Sequence, residues 1–139
     1  MALRITLRIV DALNAAEVPW IWENPATSRM WLVPEVRRHL MGPDSIRIVA
    51  DQCGFGARWR KRTVFLCHNL PDMFLGRLRK TCVTNEGDCR FSGRPHLMLS
   101  GPASPGVPWT RVAAEYPPRL CNAIAHALVG PARARFYSV

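Results

Sequence analysis

The sequence predicts a single-domain α/β protein. Three observations support this class: segments with a helical spacing of apolar residues alternate with short apolar runs, the chain has 139 residues, and no internal repeat divides it. A chain of this length can bury one core but is too short for two domains, so residues 1–139 are expected to form one unit. Ligands of such sheets bind beyond the carboxyl ends of strands, which makes the strand ends the first places to look for a site.

The N-terminal third of the chain is expected to hold two helices around one strand. Apolar residues recur near helical spacing over 3–16, which predicts the first helix. The apolar run Trp20-Ile21-Trp22 predicts a buried strand. Pro34 suits the first turn of a second helix, which runs to about Met41 and is ended by the Gly-Pro pair that follows.

Two further strands and three helices are expected after this point. The strands are Ser45–Ala50 and Thr63–Cys67, and the loop between them, DQCGFGARWRKR, is rich in glycine and arginine. A short helix is expected over Pro71–Leu78, and two more over Thr110–Ala114 and Pro118–Val129. The strand that ends at Trp22 and the strand that ends at Ala50 are both followed by polar segments, which we expect to lie at one functional edge of the sheet.

The segment from about 70 to 108 is expected to be an irregular insert. From position 81 it is rich in glycine, proline, serine and cysteine and has no clear period. A structureless loop of this length is unusual in a compact domain unless it is functional or held by additional bonds.

The charge balance favours a polyanionic partner. Nineteen lysine and arginine residues stand against ten aspartate and glutamate residues, which gives a net charge of +9. Nucleic acid, and DNA in particular, is the expected partner, whereas scattered solvated arginines are the alternative interpretation. No apolar run approaches the roughly 20 residues that span a bilayer. Because no signal peptide is evident either, we expect no membrane partner and an intracellular protein, in the cytoplasm or the nucleus.

Glu23 is the sharpest candidate for a functional side chain. It follows the predicted strand directly, in the sequence Glu23-Asn24-Pro25. A carboxyl group in an aromatic, partly desolvated pocket has a raised pKa and can donate a proton or a hydrogen bond near neutral pH. Trp20, Trp22 and Trp31 are expected to supply that pocket. The alternative is turn chemistry at Asn24-Pro25, with Glu23 solvated.

The loop between the second and third strands concentrates cations around an aromatic residue. This composition suits contact with phosphates and stacking with bases, and glycines allow a close approach of the backbone. A solvated run of charges is the alternative interpretation. The candidate substrate-binding residues are Arg58, Arg60, Lys61 and Arg62, around Trp59.

The irregular insert contains candidate metal ligands. Cys82, Cys89 and His96 are spaced C-x6-C-x6-H. Thiolate and imidazole ligands bind zinc, which can hold a loop that lacks its own core. The spacing leaves the fourth ligand open among Cys53, Cys67 and His68, and ordinary loop residues are the alternative interpretation. An odd count of five cysteines argues against a disulfide framework.

Three segments together resemble the C-terminal half of the DNA (cytosine-5) methyltransferases, and most closely the small, divergent versions found in phages and mobile elements. The stretch IWENP is similar to the Glu-Asn-Val motif that ends a strand in that family. The stretch ADQCGFGARWRKRTVFL is similar to the motif in which Pro-Gln-x-Arg-x-Arg follows an aromatic-glycine pair. The stretch WTRVAAEYPPRLCNAIAHAL is similar to the closing pair of motifs.

The resemblance implies an incomplete Rossmann-like, SAM-methyltransferase-like sheet with flanking helices. In that family the motif glutamate holds the flipped cytosine, so Glu23 would be the cytosine-binding catalytic acid and Asn24 its structural neighbour. A cationic loop would hold the nucleic-acid backbone beside it. Asn122 and Ala123 would lie near the cofactor, S-adenosylmethionine.

The sequence also departs from the family pattern. Anchored on the pair Phe55-Gly56, the family's glutamine falls at Trp59 and its two arginines at Lys61 and Thr63, unless a slip brings in Arg60 or Arg62. The chain contains neither the Pro-Cys nucleophile nor the glycine-rich cofactor strand.

The resulting prediction is a cytosine-5 methyltransferase-like domain that is truncated or split and inactive alone. It would need a second polypeptide that carries the N-terminal half of the enzyme. The alternative prediction is a basic nucleic-acid-binding module, stabilised by zinc and without catalysis.

Overall fold

The computed structural model describes residues 2–82 and 87–136, except for the side chains at position 110 and positions 132–136. Positions 83–86 of the predicted irregular insert therefore lie outside the described residues. The chain forms a mixed α/β fold with two small antiparallel sheets, in agreement with the predicted α/β class. The elements are α1 (Ala2–Ala15), β1 (Trp20–Pro25), α2 (Pro34–Leu40), β2 (Ser45–Asp51), β3 (Arg62–His68), β4 (Pro102–Ser104), β5 (Val107–Pro108), α3 (Trp109–Val112) and α4 (Pro118–Phe136).

The larger sheet places the third strand in its centre. Its order is β1-β3-β2, and β3 runs antiparallel to both neighbours. Strands β1 and β2 therefore run in the same direction. Near their carboxyl ends, Pro25 and Ala50 both pair with Thr63 at the start of β3. The segments Glu23-Asn24-Pro25 and DQCGFG thus meet at one edge of the sheet, as the sequence predicted.

Helices cover both faces of this sheet. Side chains alternate between the faces along each strand, so a strand with apolar residues at successive positions is buried on both sides. One face packs against α4, with Ile48, Phe65, Cys67, Leu120 and Ala127 in its core. The opposite face packs against α1, through Val10, Trp20 and Leu66 with Leu13, Trp22, Trp31 and Leu40 around them.

Several element boundaries differ from the sequence predictions. Strand β1 continues through Asn24 to Pro25, because an edge strand tolerates a proline whose missing N–H faces away from the ladder. The helix expected over Pro71–Leu78 is instead two short 3-10 turns, Asp72–Phe74 and Gly76–Leu78. Helix α4 continues past Val129 to Phe136 and includes a proline.

Candidate functional site

Three cysteines and one histidine come together beside the carboxyl end of β2. The ligand atoms of Cys53, Cys82, Cys89 and His96 all lie within 4.8 Å of one another. The three cysteine residues are buried and the histidine is half-buried. We call this group the Cys/His cluster. It contains the three predicted ligands and brings Cys53 to them as the fourth candidate.

Hydrogen bonds around Asp51 place two of these cysteines. Cys53 lies in a 3-10 turn, Gln52–Phe55, that begins directly after β2. The buried carboxylate of Asp51 accepts a hydrogen bond of 2.7 Å from the backbone N–H of Cys82. The backbone N–H of Asp51 in turn donates to the carbonyl of Lys80 at 2.7 Å. The segment that bears Cys82 is therefore bonded to the end of the strand that leads to Cys53.

A tight turn and one long-range hydrogen bond place the other two ligands. Cys89 donates its N–H to the carbonyl of Arg94, and its own carbonyl accepts from Gly93, which has a left-handed φ of 64°. Next to His96, the N–H of Leu97 donates to the carbonyl of Arg58 at 2.8 Å. The first set of bonds folds the segment around Cys89 into a tight turn, and the second brings the segment that carries His96 to the loop that follows β2.

The spacing of the ligand atoms fits a tetrahedral metal ion. Zinc–sulfur bonds of about 2.3 Å in a tetrahedron separate two sulfurs by roughly 3.8 Å. The Sγ atoms of Cys82 and Cys89 are 4.0 Å apart, and the Sγ of Cys82 is 3.7 Å from the Nε2 of His96. Soft thiolates with an imidazole are the ligand set that selects zinc over magnesium or calcium. The cluster could hold a metal such as zinc.

The cluster also supports negative charge on one sulfur. Burial would raise the pKa of Cys89, but hydrogen bonds from the backbone N–H groups of Phe91 and Ser92 and from the Ser92 side chain outweigh it and lower the pKa to about 6. Burial, together with the neighbouring sulfurs of Cys89 and Cys82, raises the pKa of Cys53 well above its ordinary value. Three thiolates at this spacing would require a cation between them.

The other candidate ligands lie elsewhere. Cys67 is buried in β3 on the face that packs against α4. His68 stacks on Trp20 at 5.1 Å between ring centroids and lies 3.2 Å from the hydroxyl of Ser45. Cys121 is exposed on α4. The sequence left Cys53, Cys67 and His68 open as the fourth ligand. Cys67 and His68 lie in β3, away from the cluster, whereas Cys53 lies within it.

Glu23 forms a second polar centre at the same edge of the sheet. One carboxylate oxygen accepts a hydrogen bond of 3.0 Å from the hydroxyl of Thr63. The other accepts from the hydroxyl of Tyr116, which precedes α4. Burial and the bond to Glu23 raise the pKa of Tyr116 above its ordinary value. Nothing in the sequence singled out Tyr116 as a partner of Glu23, apart from its place in the third methyltransferase-like segment.

The prediction of an aromatic pocket around Glu23 is wrong. Trp20 and Trp22 precede Glu23 by an odd number of residues, so strand alternation puts them on the opposite face of the sheet, where they pack with Trp31. Asn24 also points to that face, and its Nδ2 lies 3.1 Å from the sulfur of Met30. Glu23 shares its face with Phe65 and Thr63 instead.

Three of the four predicted substrate-binding cations are engaged within the protein. Arg62 donates two hydrogen bonds of 3.0 Å to Asp51, and Arg60 lies 3.4 Å from the same carboxylate. Lys61 donates to the carbonyl of Ala113. Arg58 is exposed. Much of this basic loop therefore holds the end of the sheet together, which leaves Arg58 available to a ligand.

The two residues expected near S-adenosylmethionine occupy different environments. Asn122 is exposed on α4, whereas Ala123 is 4% exposed and belongs to the core between α4 and the sheet. Successive positions on a helix face different directions, so one residue is packed while its neighbour remains accessible.

The fold and the site define a small mixed α/β protein that has a Cys/His cluster at the edge of its main sheet. None of the described helices is long and apolar enough to cross a membrane. Comparisons of the chain with protein-family models, with curated proteins and with solved structures find no match.

Proposed function

We propose that this chain is a nucleic-acid-binding domain stabilised by zinc. The observation that carries the proposal is the Cys/His cluster. It brings four zinc-type ligands, one from the turn after β2 and three from the irregular insert, within 4.8 Å of one another. Four protein ligands in a buried position are typical of a structural zinc site rather than a catalytic one, which keeps a position open for water or substrate.

Zinc would have a definite structural task here. The described residues between the 3-10 turn Gly76–Leu78 and β4 form no helix or strand, and only Cys82 and Cys89 among them are buried. Metal bonds can replace the missing core, because binding free energy at such a site becomes folding free energy. Cys82, Cys89 and His96 would hold the segment against Cys53.

The same segment carries positive charge close to each of its ligands. Lys80 precedes Cys82 by two residues, Arg90 follows Cys89 directly, and Arg94 precedes His96 by two. The exposed Asp88 is the one acidic residue in the described part of the segment from 80 to 97. Zinc would therefore fix an array of cations, and the net charge of +9 favours a polyanionic partner for it.

The first experiment measures metal and binding on the purified chain. We expect about one zinc per chain by elemental analysis, and loss of it in Cys53→Ser. The matched control is Cys121→Ser, which removes an exposed thiol outside the cluster and should keep the metal. We also expect labelled DNA to bind in low salt and to dissociate as salt rises. The proposal would be contradicted if the purified chain contained no zinc and also failed to bind nucleic acid in low salt.

A second candidate function is a cytosine-5 methyltransferase-like domain, truncated or split. The observation that favours it is the convergence of the three methyltransferase-like segments on one carboxylate. Glu23 comes from the first, Thr63 from the second and Tyr116 from the third, and the two hydroxyls both donate to Glu23. Thr63 is also the position of the second motif arginine when the segment is aligned on Phe55-Gly56. The hydrogen bond from Thr63 to Glu23 therefore supports this alignment over a slip that brings in Arg60 or Arg62.

Under this candidate, Glu23 would read the Watson–Crick edge of an unpaired cytosine. The hydroxyls of Thr63 and Tyr116 would orient its carboxyl group. S-adenosylmethionine would supply the methyl group when a second polypeptide completes the site, with Asn122 as the accessible residue on this chain.

Two measurements test this candidate. The chain alone should transfer no methyl group from labelled S-adenosylmethionine to cytosine-containing DNA, since it has no Pro-Cys nucleophile; robust transfer would overturn the truncated-enzyme interpretation. The chain should also prefer an oligonucleotide with one unpaired cytosine over the same strand with thymine there. Glu23→Gln should lose that preference, whereas Glu115→Gln, an exposed neighbouring acid, should keep it. No preference in the wild type would remove this candidate.

A further inference from the structure

A cationic cleft lies directly beside the Cys/His cluster. It has a volume of about 510 Å³ and includes the backbone of the loop from Cys53 to Ala57. Four cations from separate parts of the chain line it: Arg58, Lys80, Arg94 and Arg119. Only Arg58 among these is predictable from its local sequence, because the other three join it only in the folded chain.

No carboxylate among the described residues forms an ion pair with the cations of this cleft. None of its lining residues is acidic, and none of its four cations forms a salt bridge with any residue that the structure describes. Other cations of the chain are paired, as Arg60 and Arg62 are with Asp51. Like charges gathered in a concave surface raise the local concentration of anions, so the cleft is suited to phosphate.

Glycines bring the walls of the cleft together. A Cβ atom at Gly54 would lie 2.7 Å from the Cβ of Lys80 and 3.2 Å from Cε2 of Phe91, so only glycine allows both residues to approach the loop this closely. Gly56 has a left-handed φ of 95° and faces Arg119. The cleft therefore depends on the local backbone as well as on its cations.

An aromatic ring stands beside these cations. Phe91 lines the cleft and is 42% exposed. The guanidinium of Arg90 lies 5.4 Å from its ring centroid. Nucleic-acid bases stack on exposed aromatic rings of this kind.

We propose that this cleft binds a phosphate of a single-stranded nucleic acid, with the neighbouring base stacked on Phe91. The inference rests on the proposed nucleic-acid-binding function and names the form of the partner. A single strand is favoured over a duplex because the ring needs an unpaired base. The cationic walls supply the attraction for the phosphate, and the cluster holds the wall that contains Phe91 and Arg94.

The test compares variants of the metal-loaded chain with a labelled single strand of about 12 nucleotides, long enough for one binding site. Arg58→Gln/Arg119→Gln should weaken binding by about tenfold or more, and should lower the slope of log K against log salt by roughly 0.7 for each phosphate that the variant no longer neutralises. The matched control, Arg4→Gln/Arg8→Gln, removes two exposed cations from α1 and should change affinity by less than about twofold.

Phe91→Ala separates stacking from charge. It should weaken single-strand binding by about tenfold while leaving the salt slope unchanged, because the same phosphates remain neutralised by the same cations. Metal content and circular dichroism of each variant show whether it has folded, and Phe91→Leu serves as a second, milder variant that keeps an apolar side chain without the ring. We expect it to bind as weakly as Phe91→Ala.

The possible failures point to different conclusions. If the wild type binds nucleic acid but the cleft variants behave as the α1 control does, the cleft assignment is wrong and the proposed function stands. If a duplex of the same sequence binds as tightly as the single strand and Phe91→Ala has no effect, the single-strand assignment is wrong. If the wild type binds neither, both proposals fail.

Discussion

Asp51 connects the sheet, the basic loop and the Cys/His cluster at a single buried carboxylate. Its side chain is fully buried and accepts hydrogen bonds from Arg62 and from the N–H of Cys82. Burial by itself would raise the pKa of Asp51, but these hydrogen bonds and the charges of Arg62 and Arg60 outweigh it and lower the pKa. A buried ion pair of this kind contributes little net stability against an apolar replacement, yet breaking it leaves a charge without its partner.

We expect Asp51→Asn to destabilise the fold by about 2 kcal/mol, because the hydrogen bonds from Arg62 and from the N–H of Cys82 lose a charged acceptor, while water screens the exposed parts of Arg62 and Arg60. Equilibrium unfolding in urea near neutral pH measures the loss. The matched control is Asp72→Asn, which breaks an exposed ion pair with Arg79 and should cost no more than about 0.5 kcal/mol. Equal losses in the two variants would contradict the assignment of Asp51 as an anchor.

The hydrogen bond from Tyr116 to Glu23 gives stability a dependence on alkaline pH. Because the pKa of Tyr116 in the folded chain lies above its ordinary value of 10.0, the bond's contribution is complete below pH 10 and is lost as pH rises through the folded pKa. We expect Tyr116→Phe to be less stable by about 1 kcal/mol near neutral pH, and this difference to shrink above pH 10. Urea unfolding across this range measures it.

Thr63→Val is the control for this titration, since it removes the other hydrogen bond to Glu23 without a titrating group. Its loss of stability relative to the wild type should not decline as Tyr116 ionises. If the difference between wild type and Tyr116→Phe stays constant through the same range, burial and the bond to Glu23 do not raise the pKa of Tyr116 in the folded chain.

At the scale of elements, α4, which packs on the sheet through Leu120 and Ala127, also makes a close contact at one glycine. A Cβ atom at Gly130 would lie 2.5 Å from Cδ1 of Phe74. Phe74 in turn lies edge-on to His126, with 6.2 Å between ring centroids. The glycine lets the helix approach the 3-10 turn Asp72–Phe74 more closely than any other residue would.

We expect Gly130→Ala to be destabilising on balance, by about 1 kcal/mol. Alanine gains roughly 1 kcal/mol of helix propensity, but overpacking against Phe74 costs about 1–3 kcal/mol. Gly76→Ala is the control, because no atom lies within 4 Å of its added Cβ, and it should be neutral. A rise in the midpoint of thermal unfolding for Gly130→Ala would show that Phe74 moves aside without cost.

The sequence predicted the elements better than their arrangement. Apolar periodicity found α1, β2 and β3 to within two residues at each end, because in these segments burial and propensity agree. The insertion of β3 between β1 and β2 has no local signal, since the order of strands depends on pairing between distant segments. The extension of β1 through Glu23 was missed because polar residues and proline usually end a strand.

The candidate site was also predictable only in part, because some of its contacts join distant segments. The spacing of Cys82, Cys89 and His96 suggested ligands, but three residues remained open for the fourth position. The buried character of TVFLC could have excluded Cys67, which lies at its end and faces the core. Nothing local distinguishes Lys80 or Arg119 from other surface cations, because the cleft that joins them exists only in the tertiary structure.

At the scale of the whole molecule, the described residues form two apolar cores and one centre of sulfur ligands. The cores on the two faces of the sheet include α1, α4 and all three main strands. Cys53, Cys82 and Cys89 form a separate buried cluster, which is connected to the sheet through the hydrogen bond from Cys82 to Asp51. Stability is therefore expected to be uneven, with the segment around the cluster depending on metal and the sheet depending on apolar burial.

We expect removal of the metal by a chelator to open the segment that carries Cys82, Cys89 and His96 while the sheet and its helices stay folded. The cores supply the larger apolar burial, whereas this segment has the sulfur and imidazole ligands in place of a core. Hydrogen exchange followed by mass spectrometry should show faster exchange over 87–101 and little change in β3, with the helical circular dichroism retained. Cys53→Ser should reproduce this pattern and Cys121→Ser should not. Loss of protection in β3 as well would show that the metal holds the whole domain, and that the two cores are too small to be stable without it.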